Sequence, residues 1–178
     1  MYRKILITTD GSAVSRQTAC AGVRFAAQMG AEVLALYVAP EYQYPVYVEI
    51  IPPSYPSEDE YVERMNRVGA EHLGDVLQAS ATAGLVHRGM IVFADGAALK
   101  IVAVAEQEQC DLIFMGSHGR SGWGQLLLGS VTNKVLSHTS KPVLVHRLIK
   151  EPAQHGAGPH QAGPKDAGFG AGRGDAAQ

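Results

Sequence analysis

An open, five-stranded parallel β-sheet with helices on both faces, in a single α/β domain, is the fold class this sequence predicts. Three observations carry the prediction. Short apolar runs rich in valine, isoleucine and leucine recur five times, helical patterns separate them, and both kinds of pattern stop near residue 147. Strands that read as continuous apolar runs are buried on both faces, and right-handed crossover helices supply the covering layers.

The first run, Lys4 to Thr9, leads into Ser12 to Gly30, where apolar or small residues fall at 19, 22, 23, 26 and 29. Ser12 is placed to cap this helix and Gly30 to stop it. With Val33 to Val38 as the second strand, the chain opens on a βαβ unit. The connection that follows, residues 40–56, holds four of the seven tyrosines and five of the nine prolines. Proline prevents regular structure there, while the aromatic and aliphatic content resists exposure. This segment is expected to pack on its own domain, over a ligand site, or on a second subunit.

Ser57-Glu58-Asp59-Glu60 reads as a capping box with acidic residues in the first turn. The second helix it opens has Val62, Met65, Leu73, Val76 and Leu77 on one face, and Gly84 ends it before the third strand, Leu85 to Phe93. Asp95 is expected to cap a third helix that buries Ala98, Ile101, Val102 and Ala105, ahead of the strand Asp111 to Met115. Ser130 to Thr139 forms a short fourth helix, and Pro142 to His146 the last strand.

Composition narrows the functions. With 178 residues, 46% hydrophobic and 18% charged, the chain can bury one sizeable core. A net charge of −2 with scattered lysine and arginine gives no footprint for nucleic acid or an anionic membrane surface. Met1-Tyr2-Arg3-Lys4 runs straight into Ile5-Leu6-Ile7, too short for a signal sequence, and no stretch reaches bilayer length, so a cytoplasmic protein is expected. Cys20 and Cys110 lack ligand spacing and read as reduced core thiols. From residue 148 onward a tail begins, with seven glycines and three prolines in residues 151–178, and this tail is expected to be disordered.

The chemistry concentrates in GSHGRSGWGQLLLGS, residues 116–130, directly after Leu112-Ile113-Phe114-Met115. Gly116, Gly119 and Gly129 let backbone N–H groups approach an anion, and the helix opening at Gly129-Ser130 adds orphan donors and the positive end of its dipole. Val131 and Thr132, first in that helix, can donate their N–H groups, and the Thr132 hydroxyl is a further candidate donor. Arg120 is a candidate phosphate contact, and His118 lies in the same loop without a second group placed to orient it. Asp10, where the first strand stops, can accept from ribose hydroxyls or hold a water of a phosphate-bound Mg²⁺; it equally fits an Asx turn feeding the helix. The loop lacks the lysine of GxxxxGK[ST], so chemistry on a γ-phosphate is weakly equipped and any hydrolysis is expected to be slow.

The spacing glycine, two residues, glycine, nine residues, glycine, serine resembles the nucleotide signature of the universal stress protein family, and the resemblance extends over residues 1–147, including Pro142 to Val145. It implies an adenine nucleotide alpha hydrolase-like, Rossmann-like sheet of strand order 3-2-1-4-5, which periodicity alone does not give. It implies ATP as ligand, with AMP or ADP as alternatives and Mg²⁺ or Mn²⁺ accompanying the nucleotide. The residues it assigns to this ligand are Asp10, Val38, Gly116, Gly119, Gly129 and Ser130, with Val38 meeting adenine through its backbone; Thr8, Met115, His118, Arg120, Val131 and Thr132, from their places beside these, complete the candidate set. Thr8 departs from the pattern, standing where relatives often carry proline or another small residue. Relatives commonly dimerise through the last strand, which here offers Val143 and Val145, and the 40–56 segment is a second candidate surface. The function implied is a nucleotide-dependent stress-response protein acting through an unidentified signalling partner. A nucleotide-independent interaction module and a slow Mg²⁺-dependent ATPase are the alternatives.

Overall fold

The computed structural model describes residues 1–45, 55–117 and 128–148. Among these residues, five strands alternate with four helices: β1 (Lys4–Thr8), α1 (Ala13–Met29), β2 (Glu32–Ala39), α2 (Glu58–Thr82), β3 (His87–Phe93), α3 (Ala97–Gln107), β4 (Leu112–Gly116), α4 (Ser130–His138) and β5 (Val143–His146). All pairings are parallel, in the order β3-β2-β1-β4-β5. β1 is central: Ile5 registers with Val33 on one side and Leu112 on the other. Its Ile5, Leu6 and Ile7 are 0% exposed, which is why this strand reads as an unbroken apolar run.

Alternation along the strands divides the core in two. Ile5, Ile7, Val33, Tyr37 and Phe114 face Ala19 and Val23 of α1 and Leu73 and Val76 of α2. Leu6, Leu34, Leu36, Ile113 and Met115 face Ile101 and Val104 of α3 and Val135 of α4. The order 3-2-1-4-5 therefore sets the carboxyl ends of β1 and β4 side by side, the place where an open α/β sheet forms a crevice.

The expected caps of α1 and α2 are present. The Ser12 hydroxyl accepts the Ser15 N–H at 3.1 Å, and Gly30 adopts φ 63° to close the helix. Ser57 and Glu60 form the complete capping box, with N–H to carboxylate at 2.8 Å and N–H to hydroxyl at 3.3 Å. The bond from the Ser57 N–H holds the Glu60 carboxyl below its ordinary range. At α3 the structure differs from expectation. Gly96, without a side-chain bond, occupies the cap, while the Asp95 carboxylate accepts from Gln43 Nε2 at 3.0 Å. β3 also starts two residues later than its apolar pattern, because Leu85 N–H turns back to the Ser80 carbonyl at 3.0 Å and closes α2.

Opposite the crevice, charged groups fasten the amino ends of the strands. The Asp111 carboxylate accepts the Arg3 and Lys4 N–H groups at 2.8 and 3.0 Å, and those bonds, the Arg3 one foremost, hold its carboxyl below the ordinary range. Lys4 pairs with Glu32 and Glu108, and Arg88 also reaches Glu108. Beside them Cys110 is a core thiol as expected, pushed up to about 11 by desolvation, whereas Cys20, on α1, departs from expectation and is only half-buried; both are free.

The two ends of the 40–56 connection pack on their own domain. The Tyr42 ring meets Tyr44, Tyr55 and Tyr61 at centroid distances of 5.8, 6.2 and 5.5 Å. Tyr42 donates to the Pro56 carbonyl, Tyr55 to that of Gln43 and Tyr61 to that of Pro40. Residues 46–54, 118–127 and 149–178, with the expectation of a disordered tail, lie outside the described residues. Among the described residues, no helix is long and apolar enough to cross a membrane.

Candidate functional site

A cavity of about 240 Å³ opens at the carboxyl ends of β1, β2 and β4, where the sheet order brings the starts of α1, α3 and α4 around it. Its lining falls into an apolar wall and a polar rim. Leu36 and Val38 of β2, Ala97 and Ile101 of α3 and Met115 of β4 make the wall, suited to a flat apolar face. Thr8, Thr9, Asp10 and Ser15 line the rim on the β1 side, and Gly116, Gly129, Ser130, Val131 and Thr132 line it on the β4 side.

The β1 side is held by a compact set of bonds. Asp10 accepts the Ser12 N–H at 3.0 Å, the Asx turn that the DGS sequence predicts. The Thr9 and Ser15 hydroxyls lie 2.7 Å apart; Ser15 Oγ accepts the Asp10 N–H at 2.9 Å and Thr9 Oγ1 the Gly11 N–H at 3.2 Å. Gly11 adopts φ 80°, and its Cα lies so close against the His72 ring that no side chain fits between them. Arg16 donates to the Gly11 carbonyl at 2.9 Å and pairs with Asp75 at 3.8 Å, so α2 supports the loop from behind.

On the β4 side the chain leaves the strand through Ser117, which is tied to β5 by its N–H on the His146 carbonyl at 2.9 Å. The chain returns at Gly129, whose N–H reaches the Ser117 carbonyl at 2.8 Å. The cap of α4 is Gly129, at φ −60° and ψ 155°, with no side-chain bond, and Ser130 is the first helical residue, as expected of a helix opening at Gly129-Ser130. A glycine cap leaves the first-turn N–H groups of Val131 and Thr132 without the side-chain oxygen that would otherwise accept from one of them, and that of Ser130 is an orphan donor in any case. The Thr132 hydroxyl, considered above as a donor to ligand, donates to the Gly116 carbonyl at 2.9 Å and so joins β4 to α4.

Nine expected residues therefore line one cavity: Thr8, Asp10, Val38, Met115, Gly116, Gly129, Ser130, Val131 and Thr132. His118, Gly119 and Arg120 lie outside the described residues. Thr9, Ser15, Leu36, Ala97 and Ile101 also line it and were not singled out. Leu36 was within reach, since it shares a strand face with Val38 two residues on. Among the described residues, no cluster of His, Cys, Asp or Glu forms a metal site.

A family model described as the Universal stress protein family matches residues 1–147. The chain belongs to this family. Universal stress protein MJ0531 of Methanocaldococcus jannaschii is 35% identical to it over 158 residues, covering 85% of this chain and 84% of that protein. Among solved structures, MJ0577 of the same organism aligns with a TM-score of 0.70 at 29% identity, over 85% of this chain and 99% of that one. Two more distant universal stress proteins share the fold: one in complex with cAMP, at 20% identity and TM-score 0.58, and one from Archaeoglobus fulgidus in complex with dAMP, at 16% and 0.55. They cover 82% and 81% of this chain and 97% of each of their own.

Proposed function

We infer that this universal stress protein binds an adenine nucleotide in the cavity, and that occupancy is read by protein partners in a stress response. The observation that carries the reading is the meeting of the β1 and β4 ends with the uncapped start of α4 around one cavity. In this reading the apolar wall of Leu36, Val38, Ile101 and Met115 takes the base and Asp10 the ribose side. The N–H groups of Ser130, Val131 and Thr132, with Gly116 and the loop residues His118, Gly119 and Arg120, take the phosphates. ATP is the preferred ligand, with AMP and ADP as alternatives, and Mg²⁺ or Mn²⁺ arrives with the phosphates. The cAMP and dAMP named for two proteins of the same fold set adenine nucleotides as the class to test.

The sequence carries no P-loop lysine, which favours a conformational ligand over rapid turnover. Residues 1–147 are taken as the nucleotide-binding domain and 148–178 as an appended tail, in a cytoplasmic protein. Homodimerisation is assigned to β5, an edge strand whose Val143 and Val145 can extend the sheet into a second copy.

Calorimetric titration with Mg·ATP and then AMP, beside fluorescence of the sole tryptophan, Trp123, tests the reading. Saturable binding is expected, and Gly129→Val is expected to abolish it. The cap dihedrals lie where valine is unstrained, a β-branched side chain there obstructs the first-turn donors, and circular dichroism of the variant checks its fold. Binding unaffected by Gly129→Val moves the ligand away from α4, and no heat with either nucleotide favours the interaction module.

A further inference from the structure

The rim of the cavity contains two hydroxyls whose protons can be counted. Thr9 and Ser15 are 6% and 7% exposed, and both line the cavity. Each oxygen already accepts one backbone N–H, Thr9 from Gly11 and Ser15 from Asp10, and the two oxygens share one hydrogen bond at 2.7 Å. Two hydroxyls bring two protons. The shared bond uses one of them, whichever residue donates, and the second has no acceptor among the described residues. Before a ligand enters the cavity water can accept this proton, and a ligand that displaces the water must offer an oxygen in its place or leave the donor unsatisfied.

We propose that the Thr9–Ser15 pair is a ligand-binding element that donates one hydrogen bond to an oxygen of the ribose–phosphate portion of the bound nucleotide. The proposal rests on the nucleotide reading above and adds two residues to it. Because either oxygen can carry the outward proton, the element is redundant. Thr9→Val leaves the Ser15 proton available, Ser15→Ala leaves that of Thr9, and only the double variant removes the donor. A purely structural role gives a different pattern, since each single substitution deprives one backbone N–H of its acceptor and the losses then accumulate.

The test is calorimetric titration of wild type, both single variants and the double variant with adenosine, AMP and ATP, with circular dichroism reporting the fold of each. The single variants are expected to bind AMP within about threefold of wild type, and the double variant roughly tenfold or more weakly. If the weakening appears with AMP and ATP but not adenosine, the acceptor is a phosphate oxygen; if with all three, a ribose oxygen. Should the double variant fail to fold, Thr9→Val with Ser15→Cys leaves no void, replaces the donor by a weak one, and is expected to show the same loss. Wild-type-like affinity in the folded double variant, or a loss equal to the product of the single losses, overturns the assignment. Absence of nucleotide binding by the wild-type protein overturns instead the reading on which it rests.

Discussion

Substituting Gly11 by alanine tests how α2 supports the cavity rim. The residue sits at φ 80°, and a Cβ there falls 2.3 Å from three carbons of the His72 ring. The left-handed conformation alone costs an alanine roughly 1–2 kcal/mol. The ring must also leave its seat, where it meets Tyr37 edge-on at a centroid distance of 5.2 Å, a contact of a kind that contributes about 0.5–1.5 kcal/mol. The sum centres on about 2.5 kcal/mol, which lowers the midpoint temperature of a domain this size by roughly 5–10 °C. Removing the ring removes the steric part, so in a His72→Ala background Gly11→Ala is expected to cost only the backbone part, about 1.5 kcal/mol. Urea unfolding followed by circular dichroism across wild type, both single variants and the double variant therefore yields a coupling of about 1 kcal/mol. An equal cost in both backgrounds, or a cost below about 0.5 kcal/mol in either, refutes the argument that His72 and Gly11 are fitted to one another.

Two further outcomes concern the opposite end of the sheet. Because the Arg3 and Lys4 N–H groups lower the Asp111 carboxyl, its contribution is present above the ordinary value of 3.8 and is lost as pH falls through the lowered one. Asp111→Asn is expected to reduce the urea midpoint near neutral pH, with the difference from wild type shrinking in acid; a constant difference across the titration contradicts this. The Cys110 thiol, buried and pushed up to about 11, is expected to react with iodoacetamide only through unfolding, while half-buried Cys20 is modified in the folded protein. Equal labelling rates for the two in native conditions are incompatible with that burial.

The fold was legible because the strands announce themselves. Ile5-Leu6-Ile7 and Leu112-Ile113-Phe114-Met115 are apolar without alternation, as strands covered on both faces must be. What periodicity lacked was order, and the family resemblance supplied it. Errors arose where one side chain had two possible partners: Asp95 looked like a cap from its position, yet Gln43, fifty-two residues earlier, occupies its carboxylate. Nine of the fourteen residues lining the cavity were visible because Gly116 and Gly129 flank a strand end and a helix start, whereas Asp10 also carries a second task, the Asx turn to Ser12. Ser15 was invisible because its significance depends on meeting Thr9 across a turn, and Ile101 because an apolar helix residue looks the same whether it faces a neighbour or a cavity.

The central place of β1 has a consequence for how the protein is made. Its first neighbour in the sheet, β2, follows within a few tens of residues, but its second, β4, begins about a hundred residues after Ile5. At synthesis rates of roughly 5–20 residues per second, the middle strand waits for several seconds with one edge bare. During that interval α1 and α2 can shelter one face of Ile5-Leu6-Ile7, while the ladder on the β4 side has nothing to pair with. The strand that organises the finished sheet is thus the one most open to wrong partners while the chain is still emerging.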